Sequence, residues 1–159
     1  MRANEKLVIL LKEKGLKISF AESATGGMMA SKIVDISGAS DVLERSFVVY
    51  SNQAKIDILG VKKKDIEKYD VVSSPVASQM ADGLMKISGA DINVSVTGYA
   101  EGYSDEYNAL VYTCIRYKDK RFIRMSQYHD ETRNIVRRKV VTKTFNDIIK
   151  MIKKEESPN

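Results

Sequence analysis

The chain has 159 residues, 43 % hydrophobic and 30 % charged, with a formal charge of +5. That length is enough for one domain with a proper core, expected over residues 1–154 with a flexible tail at 155–159. No apolar run approaches membrane-spanning length and the charged start MRANEK is no signal peptide. A single cysteine, Cys114, excludes an intrachain disulfide and points to a reducing, cytoplasmic setting.

In chain order, residues 4–14 predict a helix, with Leu7, Leu10 and Leu11 on one face and Gly15 as its stop. Residues 17–21 predict a strand. Residues 26–36 predict a helix, with Met29, Ile33 and Ile36 at helical spacing. Phe47, Val48 and Val49 mark a strand over 46–50, and two short helices follow near 52–59 and 63–69. Ser74-Pro75 predicts a helix start, the hydroxyl as cap and proline in the first turn, with Val76, Met80, Leu84 and Ile87 buried. Residues 92–96 predict a short strand. Residues 109–117 and 121–128 predict a hairpin turning at Lys118-Asp119-Lys120. The last helix is expected over 131–154, with Val141, Phe145, Ile148, Ile149 and Ile152 inward and Ser157-Pro158-Asn159 frayed.

This order predicts the α/β class: a three-layer α/β/α sandwich whose sheet is mostly parallel, with an antiparallel edge hairpin. Ligands in such sheets sit beyond the carboxyl ends of the strands. Three polar turns fall there: AESATGG at 21–27, YSNQAK at 50–55 and VTGYAEGYS at 96–104.

In the first turn, a helix opening near Gly26 has backbone N–H groups without partners, which favour an anion or a developing oxyanion. Ser23 lies just before them, where a nucleophile would stand. Equally, Ser23 or Thr25 can simply cap the helix while Gly26 and Gly27 serve the turn. A serine nucleophile needs a base. The one histidine, His129, sits at an edge-strand end and reads as a surface residue. One Cys and one His cannot build a Cys/His zinc site within the chain, and no metal or cofactor is expected. Lys55 is the remaining candidate base, if burial or a neighbouring charge lowers its pKa, and Tyr50 could orient a proton; otherwise Lys55 is surface charge. The last helix is rich in Lys and Arg, which suits a solvated face or an anionic partner.

Residues 21–27, 50–55 and Leu59-Gly60-Val61 resemble the CinA C-terminal domain family, which includes nicotinamide-nucleotide amidases. Val72-Ser73-Ser74-Pro75-Val76-Ala77, Val96-Thr97-Gly98-Tyr99-Ala100 and the Arg133/Arg137 pair fit the same family text in order. The resemblance implies hydrolysis of nicotinamide mononucleotide to nicotinic acid mononucleotide and ammonia. It implies Ser23 as nucleophile, Lys55 as its general base, and Tyr50 and Thr97 lining the site. Arg137, with Arg133, would hold the anionic substrate. Thr25, Gly26, Gly27 and Gly98 complete the expected substrate-binding set, with the Gly26 and Gly27 amides as oxyanion donors. A homo-oligomer is implied, whereas nucleic acid and membrane are not expected as partners. The text starts directly at the first helix, so the domain is expected to stand alone.

The loop at 98–109 departs from the family pattern. It lacks the usual Gly-Pro, carries Glu101 where glycine is expected, and adds Tyr99, Tyr103, Tyr107, Asp105 and Glu106. Ala24 replaces the common cysteine. The alternative to an active amidohydrolase is therefore a catalytically impaired member that binds a nucleotide or a protein through this loop. Neutral drift of a surface segment explains the loop as well.

Overall fold

The computed structural model describes residues 1–156. The elements are α1 (Ala3–Lys14), β1 (Ile18–Glu22), α2 (Met28–Val34), a 3-10 turn (Ala39–Asp41), β2 (Leu43–Val48), α3 (Asn52–Leu59) and α4 (Lys63–Tyr69). There follow α5 (Ser74–Ser88), β3 (Ile92–Tyr99), β4 (Ala109–Tyr117), β5 (Lys120–Tyr128) and α6 (Arg133–Glu156). The sheet order is β2-β1-β3-β4-β5. β1 pairs parallel with β2 and β3, while β3–β4 and β4–β5 are antiparallel, so four strands run one way and β4 alone returns.

Side-chain alternation on β1 builds both cores, and all five of its residues are buried because the strand has a neighbour on each side and helices on each face. Ile18 and Phe20 face α1, α2 and α6, where Phe20 meets Phe145 with ring centroids 6.2 Å apart. Ala21 faces the second core, built with Val49, Leu59, Val61, Val76, Met80 and Leu84 on the side of α3 and α5. The expected inward residues of the first and last helices are buried, and Gly15 ends α1 in the left-handed region (φ 65).

Several boundaries differ from expectation, the strand ends through tertiary pairing. β2 starts at Leu43, not 46, because pairing with β1 recruits Leu43 and Arg45, with Glu44 set aside by a shift in register between them. β3 continues through Thr97 and Gly98 to Tyr99, because β4 supplies partners as far as Leu110. Ser73 caps α5 by accepting from the Val76 amide, so the cap stands one residue before the expected Ser74. Ile87, expected inward, is 40 % exposed, because Leu84 and Ser88 hold the inward face of the last turn of α5. Glu155 and Glu156 continue α6, where Glu156 pairs with Lys14 at 2.9 Å, so the expected tail is helical at its start. The expected fraying of 157–159 lies outside the described residues. Among the described residues no helix is long and apolar enough to cross a membrane.

Candidate active site

The carboxyl ends of β1, β2 and β3 converge through backbone bonds. The Ser23 amide donates to Val96 O at 3.1 Å, and the Val49 amide donates to Glu22 O at 2.8 Å. Alternation then sends Glu22 beneath α2 and Ser23 to the opposite side, toward α3.

Lys55 waits there. Ser51 caps α3, its hydroxyl accepting from the Ala54 amide at 3.0 Å, which starts the helix so that Lys55 turns inward. The side chain is 1 % exposed. Its Nζ lies 3.0 Å from Ser23 Oγ, 3.0 Å from Tyr50 O and 3.5 Å from Ser51 O. Burial lowers its pKa from 10.5 to about 8. The two carbonyls can only accept, so they fix two N–H bonds of the amine. In the neutral form the remaining lone pair can accept the Ser23 proton, which is the geometry a general base needs.

Glu22 is the residue whose role the sequence reading missed. It is fully buried, and its carboxylate accepts from the Thr25 hydroxyl (2.6 Å), the Met29 amide (2.8 Å) and the Ala30 amide (3.2 Å). It therefore caps α2 from the preceding strand, and neither Ser23 nor Thr25 does so; the N-cap position is Gly27, without a side-chain cap. The signal was present: a carboxylate two residues after a buried phenylalanine, on the same strand face, just before a helix start. The Met29 and Ala30 amides at that helix start are consequently spent internally.

Arg137 of α6 holds the turn from outside. Its Nε donates to Ala24 O at 3.1 Å, Nη2 to Thr25 O at 2.8 Å and Nη1 to Asn134 Oδ1 at 3.2 Å. Gly26 (φ 59) and Gly27 (φ 98) both occupy left-handed backbone, which ordinary side chains disfavour. The Gly26 amide, an expected oxyanion donor, instead closes the turn on Ser23 O at 3.0 Å.

The remaining expected site residues make contacts of their own. The Tyr50 side chain is 62 % exposed, and it is the Tyr50 carbonyl that meets Lys55. Thr97 is buried, with its hydroxyl donating to Val71 O at 3.0 Å. Gly98 is needed by the sheet: a Cβ there would lie 2.8 Å from Val111 Cγ2. Arg133, exposed at the rim, donates from Nε to Glu101 Oε1 at 2.8 Å, and bonds to Glu101 and then to Tyr50 raise its pKa. His129 holds the Glu106 carbonyl from the surface, with Nδ1 at 2.7 Å. The basic face of α6 lines a cleft of about 680 Å³ against β5, where Asp147 takes Arg124 and Glu131 takes Lys139.

A five-stranded α/β/α sandwich carrying a serine and a buried lysine at its strand ends defines the class. The CinA C-terminal domain model matches residues 1–152, and the chain belongs to that family. A Finegoldia magna protein named as competence-damage inducible is 43 % identical over 148 residues, 93 % of this chain and 35 % of its own length. A CinA-like protein of Syntrophomonas wolfei is 42 % identical over 122 residues, 75 % of this chain and 29 % of its own. The chain thus spans about a third of the length of the curated relatives it matches. Among solved structures, the competence/damage inducible protein CihA of Agrobacterium tumefaciens superposes with a TM-score of 0.88 at 33 % identity, covering 92 % of both chains. The CinA superfamily protein of Escherichia coli superposes with a TM-score of 0.87 at 27 % identity, covering 94 % of this chain and 88 % of that one.

Proposed function

We propose that the chain is a nicotinamide-nucleotide amidohydrolase that works through a Ser23–Lys55 dyad. The observation that carries this reading is the 3.0 Å contact between Ser23 Oγ and a buried amine whose pKa is lowered to about 8. Lys55 takes the Ser23 proton as Oγ attacks the carboxamide carbon, giving a tetrahedral oxyanion and an ammonium on Lys55. The C–N bond then breaks, the leaving nitrogen takes the Lys55 proton, and ammonia departs from an acyl-serine ester. Water, losing its proton to Lys55, attacks that ester. The carboxylic acid leaves as Ser23 recovers its proton. Of the expected oxyanion donors, the Gly27 amide remains once Gly26 is spent on the turn.

The substrate the family resemblance implies is nicotinamide mononucleotide, with nicotinic acid mononucleotide as product. The test is ammonia release from that nucleotide by the purified chain. Wild type should release it, and Ser23→Ala and Lys55→Ala should not. The rate should rise about tenfold per pH unit below about pH 8 and level off above it, because only the neutral amine accepts a proton. Saturable binding without ammonia release would leave a binding module instead.

A further inference from the structure

We infer that Glu101 sets the charge preference of this site, so that it favours a carboxamide on an unphosphorylated, cationic pyridinium riboside over the phosphorylated nucleotide. This rests on the amidohydrolase reading and sharpens its substrate class. An anionic group on the ligand needs a cation free to meet it; Arg137 is turned to the backbone of the Ser23 turn, and the charge of Arg133 is already shared with Glu101. Arg137 gives Nε and Nη2 to the carbonyls of Ala24 and Thr25 and Nη1 to Asn134. Arg133 gives its Nε to Glu101 at 2.8 Å.

The loop that supplies Glu101 adds Asp105 and Glu106 and no cation between Tyr99 and Asn108. A phosphate approaching Arg133 must face or displace a carboxylate already there, at a Coulomb cost. A pyridinium ring, which carries positive charge, meets the opposite sign.

A second observation points the same way. Tyr99 and Tyr103 stack with ring centroids 6.3 Å apart and planes 12° from parallel. Both remain more than a third exposed. The Tyr99 hydroxyl is anchored on both Asp70 carboxylate oxygens at 3.1 Å. Strand alternation sets Tyr99 on the Thr97 side of the sheet, the side that carries α3 and Lys55. An anchored, open aromatic pair offers a face to a cationic ring.

The experiment is calorimetric titration of the full chain carrying Ser23→Ala, which prevents turnover, with nicotinamide riboside and with nicotinamide mononucleotide. The riboside should bind at least about threefold tighter at low ionic strength, with the gap closing as salt is raised. Adding Glu101→Gln, an exposed change that keeps the side chain's shape, should tighten the mononucleotide about three- to tenfold and leave the riboside unchanged or weaker. Mononucleotide binding equal to or tighter than riboside binding in the parent would overturn the inference. So would a ratio that ignores Glu101→Gln, or no binding of either compound. Ammonia release by the Ser23-containing chain is read separately. Its absence, with the binding gap intact, removes the hydrolase and leaves the charge preference standing.

Discussion

The floor and the rim of the candidate site obey different physics. On the floor, Glu22, Ser23 and Lys55 are each at most 6 % exposed, and their bonds run largely to backbone atoms of strands and helix starts. At the rim, Arg133, Glu101, Tyr50 and Tyr99 are all more than a third exposed and meet side chain to side chain. Burial on the floor moves a lysine pKa to about 8 and makes each bond costly to lose. Water at the rim screens the charges, so they add little to stability. On the proposed reading, catalytic capacity belongs to the floor and ligand preference to the rim, so the rim can change without disturbing the floor.

The largest effect should come from the floor. Ser23→Ala should lower ammonia release by at least about a thousandfold while leaving the thermal midpoint nearly unchanged, read by a coupled ammonia assay and by melting. A small loss of rate would place the chemistry elsewhere.

Next comes Glu22→Ala, which removes the acceptor for one hydroxyl and two amides inside the protein. It should cost about 3 kcal/mol, measured as a lower denaturant midpoint at unchanged slope. A loss below about 0.5 kcal/mol, the usual range for surface changes, would show that α2 does not depend on this cap.

Lys55→Met should cut the other way, abolishing activity and relieving the cost of a buried charge, offset in part by the loss of the Lys55 bonds to the Tyr50 and Ser51 carbonyls. The folded pKa, about 8, lies below the ordinary 10.5. Between those values the unfolded chain binds the extra proton, so wild-type stability rises with pH across that window. The penalty is fully present below about pH 8 and amounts to about 3 kcal/mol there, which methionine removes. The gain of Lys55→Met over wild type should therefore be greatest below pH 8 and fall away toward pH 10.5. A gain independent of pH would mean that packing, not charge burial, caused it.

The smallest effect belongs to the rim. Arg133→Gln breaks an exposed pair with Glu101 and should change stability by less than about 1 kcal/mol, less still at high salt. A larger loss would make the rim part of the framework and erase the contrast with the floor.

Much of this was legible in the text. Element order, the α/β/α layering and the convergence of three polar turns followed from periodicity and from the rule that places ligands beyond strand ends. Ser23 and Lys55 were candidates by position, each with a capping or surface reading still open, and the family resemblance selected them. Glu22 was not a candidate, because a carboxylate in a turn reads as solvent-facing until its strand is seen to be central and covered on both faces. Tyr50 was read for its phenol, whereas the structure uses its carbonyl, which every residue possesses and no sequence pattern marks.

The amino-acid order alone determined the succession of helices and strands, which faces are apolar, and which functional groups lie next to turns, since these depend on neighbours a few residues away. Tertiary structure decided that Lys55 is dry enough to lose its proton near pH 8, that Arg137 reaches back across more than a hundred residues to hold the Ser23 turn, and that Glu101 occupies Arg133. The reason is physical. Local conformation follows from backbone sterics and nearby bonds, but dielectric environment and the pairing of distant charges exist only after remote segments have packed together.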